Sequence, residues 1–261
     1  MKKGSLACVG TGMMLGAHIG PRARSHIEEA DVVFVAVSDP LVELWVQGMN
    51  RDVRSLQPFY AEGKPRTETY REMVAAMMEE VRAGRRVCGA FYGHPGVFAV
   101  VPHRAVTQAR EEGYEAVMEA AVSAEDCLYA DLGIDPGTYG CQHYEASQFM
   151  FYQRRIDPSA YLILWQIGVA GDNSFAKLST GPKIREVLVE LLSEHYPPGH
   201  PLVIYEAATL PISRPRIVKC GLKQLVEVTL SPASTLVVEP SQPMTPNDLV
   251  VSRLQSLMGL P

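Results

Sequence analysis

The chain has 261 residues, 47% hydrophobic and 20% charged, the proportions of a folded globular protein with one large or two smaller domains. Its formal net charge of −5 argues against general nucleic-acid binding, which needs basic surface, and does not favour anionic membranes. The five cysteines are dispersed and form no Cys-x-x-Cys, which argues against a disulfide framework and a structural zinc site. The histidines are dispersed too, so no metal is expected. No segment approaches the roughly 20 apolar residues of a membrane span. Lys2 and Lys3 stand too close to Cys8 to flank the apolar core of a signal peptide, so the expected location is cytoplasmic.

Leu6 to Val9 reads as a short strand leading into Gly10-Thr11-Gly12. Strand then Gly-x-Gly points toward nucleotide binding. However, Met13, Met14 and Leu15 follow where a third glycine belongs, so a tight turn feeding a helix is the plainer reading. Arg22 to Ala30 predicts a helix, and Asp31 to Val37 a buried strand ending at Ser38-Asp39-Pro40. Two strands joined through a helix imply a parallel sheet. Phe59 and Tyr60 lead into a polar loop over 61–66. Val74, Met77, Met78 and Val81 sit at i, i+3, i+4 and i+7 and predict a helix from Thr67 to Gly84, with Thr67 as its N-cap. Arg66 and Tyr70 are four apart and share one face if that helix starts early.

The stretch from Cys88 to Phe98 organises the chain. An apolar strand beginning at Arg86 breaks into Gly93-His94-Pro95-Gly96, a turn in which Pro95 removes a backbone donor and Gly96 is free to take a left-handed conformation. The carboxyl edge of an open α/β sheet is where ligands usually sit. An ordinary strand-to-helix turn is the equal alternative. His103 to Gly113 predicts a helix, with His103 at its start, and Ala116 to Glu119 a strand. Ser123 is the N-cap of a helix reaching Leu132, with Glu125 and Asp126 in its first turn. Gly133 to Gly137 is a turn.

The second half is richer in strand and mixed in direction. Strands are predicted at Gln142–Ala146, Ala160–Ile167, Leu202–Glu206, Pro215–Val218 and Ser234–Val238, with an amphipathic helix at Ile184–Tyr196. The expected organisation is α/β: an N-terminal domain over 1–121 with a mainly parallel sheet, a C-terminal domain over 122–240 with a mixed sheet, and a tail over 241–261. The proline-rich tail carries a short helix, Asn247 to Leu257, and reads as an arm that needs a partner surface.

In order along the chain, the stretches Phe59-Tyr60, Arg66 with Tyr70, Tyr92-Gly-His-Pro-Gly-Val-Phe98, Ser123-Ala-Glu-Asp126, Ala130-Asp-Leu-Gly-Ile-Asp-Pro136, Tyr144-Glu-Ala-Ser147, Trp165-Gln166-Ile167 and Ser234-Thr235 resemble the tetrapyrrole-methylase superfamily. Within it they are most similar to the borosin peptide backbone α-N-methyltransferases. The resemblance implies two α/β domains with S-adenosylmethionine bound in the cleft between them. It would give Tyr92, His94, Val97, Phe98, Ser123, Ala124, Gln166, Ala208, Ser234 and Thr235 to the cofactor pocket. It also implies a homodimer whose loops cover each other's sites, or a heterotetramer with two precursor peptides. The tetrapyrrole branch usually has an acidic residue where His94 stands, and a fuller Gly-x-Gly-Pro-Gly-Asp string where this chain has Gly10-Thr-Gly-Met-Met. Fungal members are fused to their own substrate peptide. This chain stops at Pro261, so the expectation is a split, bacterial-type enzyme acting on a separate precursor.

Methylating a backbone amide is difficult because the nitrogen lone pair is delocalised into the carbonyl. A base must take the proton, donors must hold the charge that develops on oxygen, and nitrogen must be aligned with the methyl carbon. Tyr70 is the candidate base. A free phenol, near pKa ~10, is mostly protonated at neutral pH, and the cationic Arg66 favours the phenolate. Tyr60 and Tyr92 are candidate donors to the peptide carbonyl, and the carbonyls of the 93–97 turn are suited to a sulfonium. On pattern alone each tyrosine is more often an edge-of-core residue. Gln166, in an apolar strand, needs a partner, and backbone serves as well as ligand. His94, before proline, belongs to the pocket rather than to proton transfer. Two other functions stay open: methylation of a tetrapyrrole or other small molecule, and a non-catalytic module that binds S-adenosylmethionine or a peptide.

Overall fold

The computed structural model describes residues 4–37, 39–61, 63–172 and 179–259. Lys2, Lys3, Ser38, Glu62 and Pro261, which enter the expectations above, lie outside the described residues. Strands β1 (Ser5–Gly10), β2 (Val32–Ala36), β3 (Val53–Ser55), β4 (Arg86–Phe91) and β5 (Glu115–Met118) form a sheet in the order β3-β2-β4-β1-β5. Every pairing in it is parallel. Helices α1 (Pro21–Glu29), α2 (Pro40–Gln47), α3 (Arg66–Arg82) and α4 (Val100–Glu111) cover its faces. Side chains alternate along β1: Leu6 and Cys8 join Met73, Met77 and Ala105 on one face, while Ala7 and Val9 join Ile27 and Val46 on the other. Covering both faces requires apolar residues throughout, hence the unbroken apolar runs.

The second half follows with α5 (Ala124–Leu132), α6 (Pro136–Tyr139), β6 (Cys141–Glu145), α7 (Ala146–Phe151), β7 (Tyr161–Trp165), α8 (Pro182–Ser193), β8 (Pro201–Glu206), β9 (Arg216–Gly221), β10 (Thr235–Val238) and α9 (Asp248–Met258). Its sheet runs β6-β7-β10-β8-β9, parallel only between β6 and β7 and antiparallel elsewhere. One face packs on α7 and α8 through Leu162, Leu188, Leu192 and Ile204. The other packs on α5 through Leu128, Ile163 and Tyr205. The α/β class and the parallel and mixed sheets are as the sequence predicts. Helix α9 buries none of its residues; Leu249, Leu254 and Leu257 are exposed.

Besides the short elements β3, α6 and α7, which the sequence pattern does not predict, three local features differ from expectation. Helix α3 starts at Arg66, with Pro65 at the N-cap and no side-chain cap, so Thr67 lies inside the helix. The cause is the loop before it: the Pro65 carbonyl accepts from the amides of Glu68 and Thr69, and the Phe59 carbonyl accepts from Thr69 Oγ1 and Lys64 Nζ. Helix α4 begins three residues early, at Val100, because Pro102 fits within a first helical turn. Helix α2 was not foreseen, although Asp39 caps it by accepting from the Leu41 amide and Pro40 opens it; so short a helix buries only Val42 and Val46.

The chain leaves β1 toward β2 and leaves β4 toward β5, on opposite sides, so the strand order reverses between β1 and β4. A crevice opens at the carboxyl ends of such a pair. Here the two turns are in backbone contact: the Gly12 amide donates to the Gly93 carbonyl (3.2 Å) and the Gly93 amide to the Gly12 carbonyl (3.0 Å). A β-carbon at Gly10 would lie 2.1 Å from the Gly93 oxygen and 2.5 Å from Ala121 Cβ. Only glycine fits between two backbones at that distance. Gly10→Ala is therefore expected to lower stability by about 1–3 kcal/mol, the range of an overpacked core. Urea unfolding checks this, and an unchanged midpoint would contradict the close approach.

Candidate functional site

The β4 turn is held from several sides. His94 Nδ1 accepts from the Gly96 amide (2.9 Å), His103 Nε2 donates to the Gly96 carbonyl (2.9 Å), and the Val97 amide donates to the His94 carbonyl (3.2 Å). His103 thus ties the first turn of α4 to the loop rather than only opening the helix. At the end of the turn Phe98 has φ 49°, and its ring meets Trp165 of β7 with centroids 5.5 Å apart. A second link between the halves is the Leu15 amide, which donates to the Thr209 carbonyl (2.9 Å). Together these set the carboxyl edge of the first sheet against one edge of the second.

That second edge is set by register. Gln166 follows β7, Ser234 precedes β10, and Thr235 pairs with Tyr205 near the end of β8, so Gln166, Ser234, Thr235 and the 206–209 loop share one rim. Ala208 lies in that loop, half-buried. Gln166 takes a left-handed conformation, φ 60° and ψ 38°, and its side-chain amide makes no hydrogen bond among the described residues. Among those residues Phe98 and Gln166 are the two non-glycine positions with positive φ. Such strain costs about 1–3 kcal/mol at each and tends to cluster at ligand clamps.

The structure uses some predicted pocket residues for itself. Ser123 caps α5: its Oγ accepts from the amides of Glu125 and Asp126 and donates to Asp126 Oδ2 (2.7 Å). Burial works to raise the Asp126 carboxyl, but bonds from Ser123 and backbone amides, with His94 nearby, outweigh it and leave its pKa lowered. Ala124 packs its methyl on the second-half core. Ser234 is fully buried and donates to Glu206, which also accepts from Ser231 Oγ (2.9 Å) and an Arg216 guanidinium nitrogen (2.9 Å). The Ser234 carbonyl in turn accepts from the Ile167 amide (3.1 Å), next to the left-handed Gln166. Glu206, Ser231 and Arg216 went unnoticed in the sequence; a lone acid ending an apolar strand is the signal that was there.

The third group is formed by the loop before α3 and the end of β4. Tyr60, Arg66, Tyr70 and Tyr92, from three separate segments, lie close enough to influence one another. Burial raises the Tyr60 hydroxyl, the neighbouring Tyr70 and Tyr92 add to the rise, and the Arg66 charge opposes it. Tyr92 is likewise raised by burial first and by Tyr70, with Arg66 opposing. Tyr92 nevertheless keeps 52% of its surface exposed. Tyr60 is held at its backbone: Lys64, paired with Glu72, and Thr69 both bond the preceding carbonyl of Phe59. Lys64 is another residue that sequence reasoning passed over. Tyr70 and Arg66 are half-buried, Tyr70 against the first-half core. A separate groove of about 930 Å³ runs between α3 and α4, with Arg71, Arg82 and Arg104 in its walls, and does not include these phenols.

The family model for Tetrapyrrole (Corrin/Porphyrin) Methylases matches residues 5–226. The chain is 40% identical over 258 residues to a Gymnopus fusipes protein described as a methyltransferase/ribosomally synthesized cyclic peptide gymnopeptides precursor; the match covers 97% of this chain and 61% of the relative. It is 43% identical over 227 residues to a methyltransferase/ribosomally synthesized type I borosin cyclic peptide precursor of Coprinopsis marcescibilis, covering 86% of this chain and 58% of the relative. The chain thus spans about three fifths of the length of these relatives. Among solved structures, uroporphyrin-III-C-methyltransferase from Thermus thermophilus superposes with a TM-score of 0.63 at 21% identity, over 91% of this chain and 93% of that one. A cobalt precorrin-4 methyltransferase gives 0.64 at 15%, over 90% and 94%. At those identities the likeness is one of fold.

Glu206 has a testable consequence. Burial raises its carboxyl, but hydrogen bonds from Ser234 and Ser231 and the charge of Arg216 outweigh this and leave the folded-state pKa lowered. The stability it contributes is therefore complete above the unfolded carboxylate value, about 4.3, and is lost as pH falls through the lower folded value. Glu206→Gln is expected to flatten the acid limb of a stability–pH curve measured by urea unfolding. An acid limb identical to that of the parent would contradict the assignment.

Proposed function

Because the chain belongs to the tetrapyrrole (corrin/porphyrin) methylase family, we propose that it transfers methyl groups from S-adenosylmethionine to backbone amide nitrogens of a ribosomally made precursor peptide presented as a separate chain. The names of the relatives support a peptide substrate. The observation that carries the reading is the gathering of three phenols and a guanidinium, Tyr60, Tyr70, Tyr92 and Arg66, beside the switch-point turn.

The rim fits the cofactor. The Gln166 amide, which makes no hydrogen bond among the described residues, offers a donor and an acceptor, and the glycine turn brings backbone within reach of a ligand. Phe98 and Trp165 provide an aromatic wall. Ser123 and Ser234 shape the rim rather than donate to the ligand, since their hydroxyls and backbone groups are bonded within the protein. Ala124 and Ala208 supply small side chains, Val97 an apolar one, and Thr235 a buried one beside them. When bound, the cofactor supplies an electrophilic methyl group whose carbon–sulfur electron pair leaves with the sulfur.

Tyr70 takes the proton that the amide nitrogen loses as it bonds the methyl carbon. Tyr60 and Tyr92, whose hydroxyls burial pushes upward, stay protonated and donate to the peptide oxygen where charge gathers. Arg66 stabilises that charge and the Tyr70 oxygen without competing as a proton donor, because a guanidinium stays charged. The reading includes a homodimer, for which the exposed apolar side chains of α9 are available surface.

Co-incubation of the chain with a candidate precursor peptide and S-adenosylmethionine should add successive single-methyl mass increments, located on backbone nitrogens by tandem mass spectrometry. Tyr70→Phe is expected to abolish them while S-adenosylhomocysteine binding persists. Full methylation by Tyr70→Phe would remove Tyr70 from the mechanism. Methylation of a tetrapyrrole with no peptide modified would replace the substrate assignment.

A further inference from the structure

Beneath the aromatic wall runs a directed chain of hydrogen bonds that the proposed chemistry does not use. Trp165 Nε1 donates to His143 Nδ1 (3.2 Å), with the two ring planes only 14° apart. An indole N–H can only donate, so His143 Nδ1 carries a lone pair. His143 Nε2 lies 2.9 Å from the Tyr129 hydroxyl, which donates to Glu125 Oε1 (2.9 Å). The Tyr129 oxygen is therefore the acceptor and His143 Nε2 the donor. Every donor and acceptor in the row Trp165–His143–Tyr129–Glu125 is matched only when His143 is neutral and protonated on Nε2.

This row ends at the cleft. Trp165 bears the Phe98 ring on one side and is followed directly by Gln166, so the two strained rim residues both depend on where its indole sits. We propose that His143 is a positioning residue for the cleft: its neutral, Nε2-protonated ring fixes the Trp165 indole, and through it Phe98 and Gln166. The inference rests on the reading of that cleft as the cofactor site.

Protonation would undo the arrangement, because the second proton goes to Nδ1, the atom that accepts the indole N–H. The groups facing His143 are Glu125 and Tyr129 of α5, with Cys141 of its own strand acting through Tyr129. Burial lowers the His143 pKa and Glu125 partly restores it. The neutral ring therefore holds above the ordinary histidine value, about 6.5, and is lost as pH falls through the lower folded value.

The chain has two tryptophans, so Trp45→Phe leaves Trp165 as the reporter. In that background, lowering pH from about 8 to about 5 is expected to change indole fluorescence in one transition centred below the ordinary histidine range. S-adenosylhomocysteine affinity, measured by calorimetry, should weaken over the same interval by about five- to tenfold, the effect of one lost hydrogen bond. His143→Leu should show the weakened affinity already at high pH. His143→Asn, which keeps an acceptor near the Nδ1 position but does not titrate, should bind like the parent and lose both pH dependences. Unchanged affinity in His143→Leu, or a fluorescence transition that survives in His143→Asn, overturns the inference while leaving the cofactor reading intact. Failure of the parent to bind S-adenosylhomocysteine overturns both.

Discussion

The approach of two backbones at Gly10 and Gly93 is the constraint on which the site depends. Parallel strands joined by helices place their carboxyl ends in a row, but side by side those ends would normally be padded by side chains. Here a β-carbon at Gly10 would stand 2.1 Å from the Gly93 oxygen, so the turns after β1 and β4 meet backbone to backbone. Their paired amides and carbonyls, Gly12 with Gly93, turn two flexible glycine loops into one rigid edge. From that edge the chain carries Tyr92 toward the phenol cluster and Phe98 toward the second sheet.

The contacts between the two halves include strained residues. Phe98 and Gln166 both hold left-handed conformations that cost free energy, and both sit where the edges face each other. Neighbouring bonds compensate. Ser234 anchors Ile167 after Gln166, Glu206 anchors Ser234, and Arg216 anchors Glu206, so one rim residue is held through four others. On the other side the indole of Trp165 is held by His143. Bonds of this kind hold the rim in a single arrangement.

The electrostatics of the phenol cluster follow from its position. Tyr60 and Tyr92 are desolvated by the protein around them and lie beside a third phenol, and both effects favour the neutral form. Arg66 alone pulls toward the phenolate. Donors that stay protonated next to a fixed positive charge suit a reaction in which negative charge appears on oxygen only in passing.

The sequence by itself determined the α/β class, the parallel and mixed sheets, nearly every strand and the helices with long apolar periodicities, because burial on both faces of a strand or one face of a helix writes itself into residues two, three or four apart. It also placed Arg66 and Tyr70 on one helical face, a relation of one turn. Short helices such as α2, held by a cap and two buried valines, left too faint a pattern. What only the tertiary structure decided was everything depending on residues far apart in the chain. Tyr60 and Tyr92 join Tyr70 across three segments, Glu206 takes the hydroxyls of Ser231 and Ser234, and His143 meets Trp165. Gln166 and Phe98 are forced into conformations that no local preference would choose. Those contacts are set by the register of the sheets and the closeness of their edges, and neither leaves a periodic trace in the residues themselves.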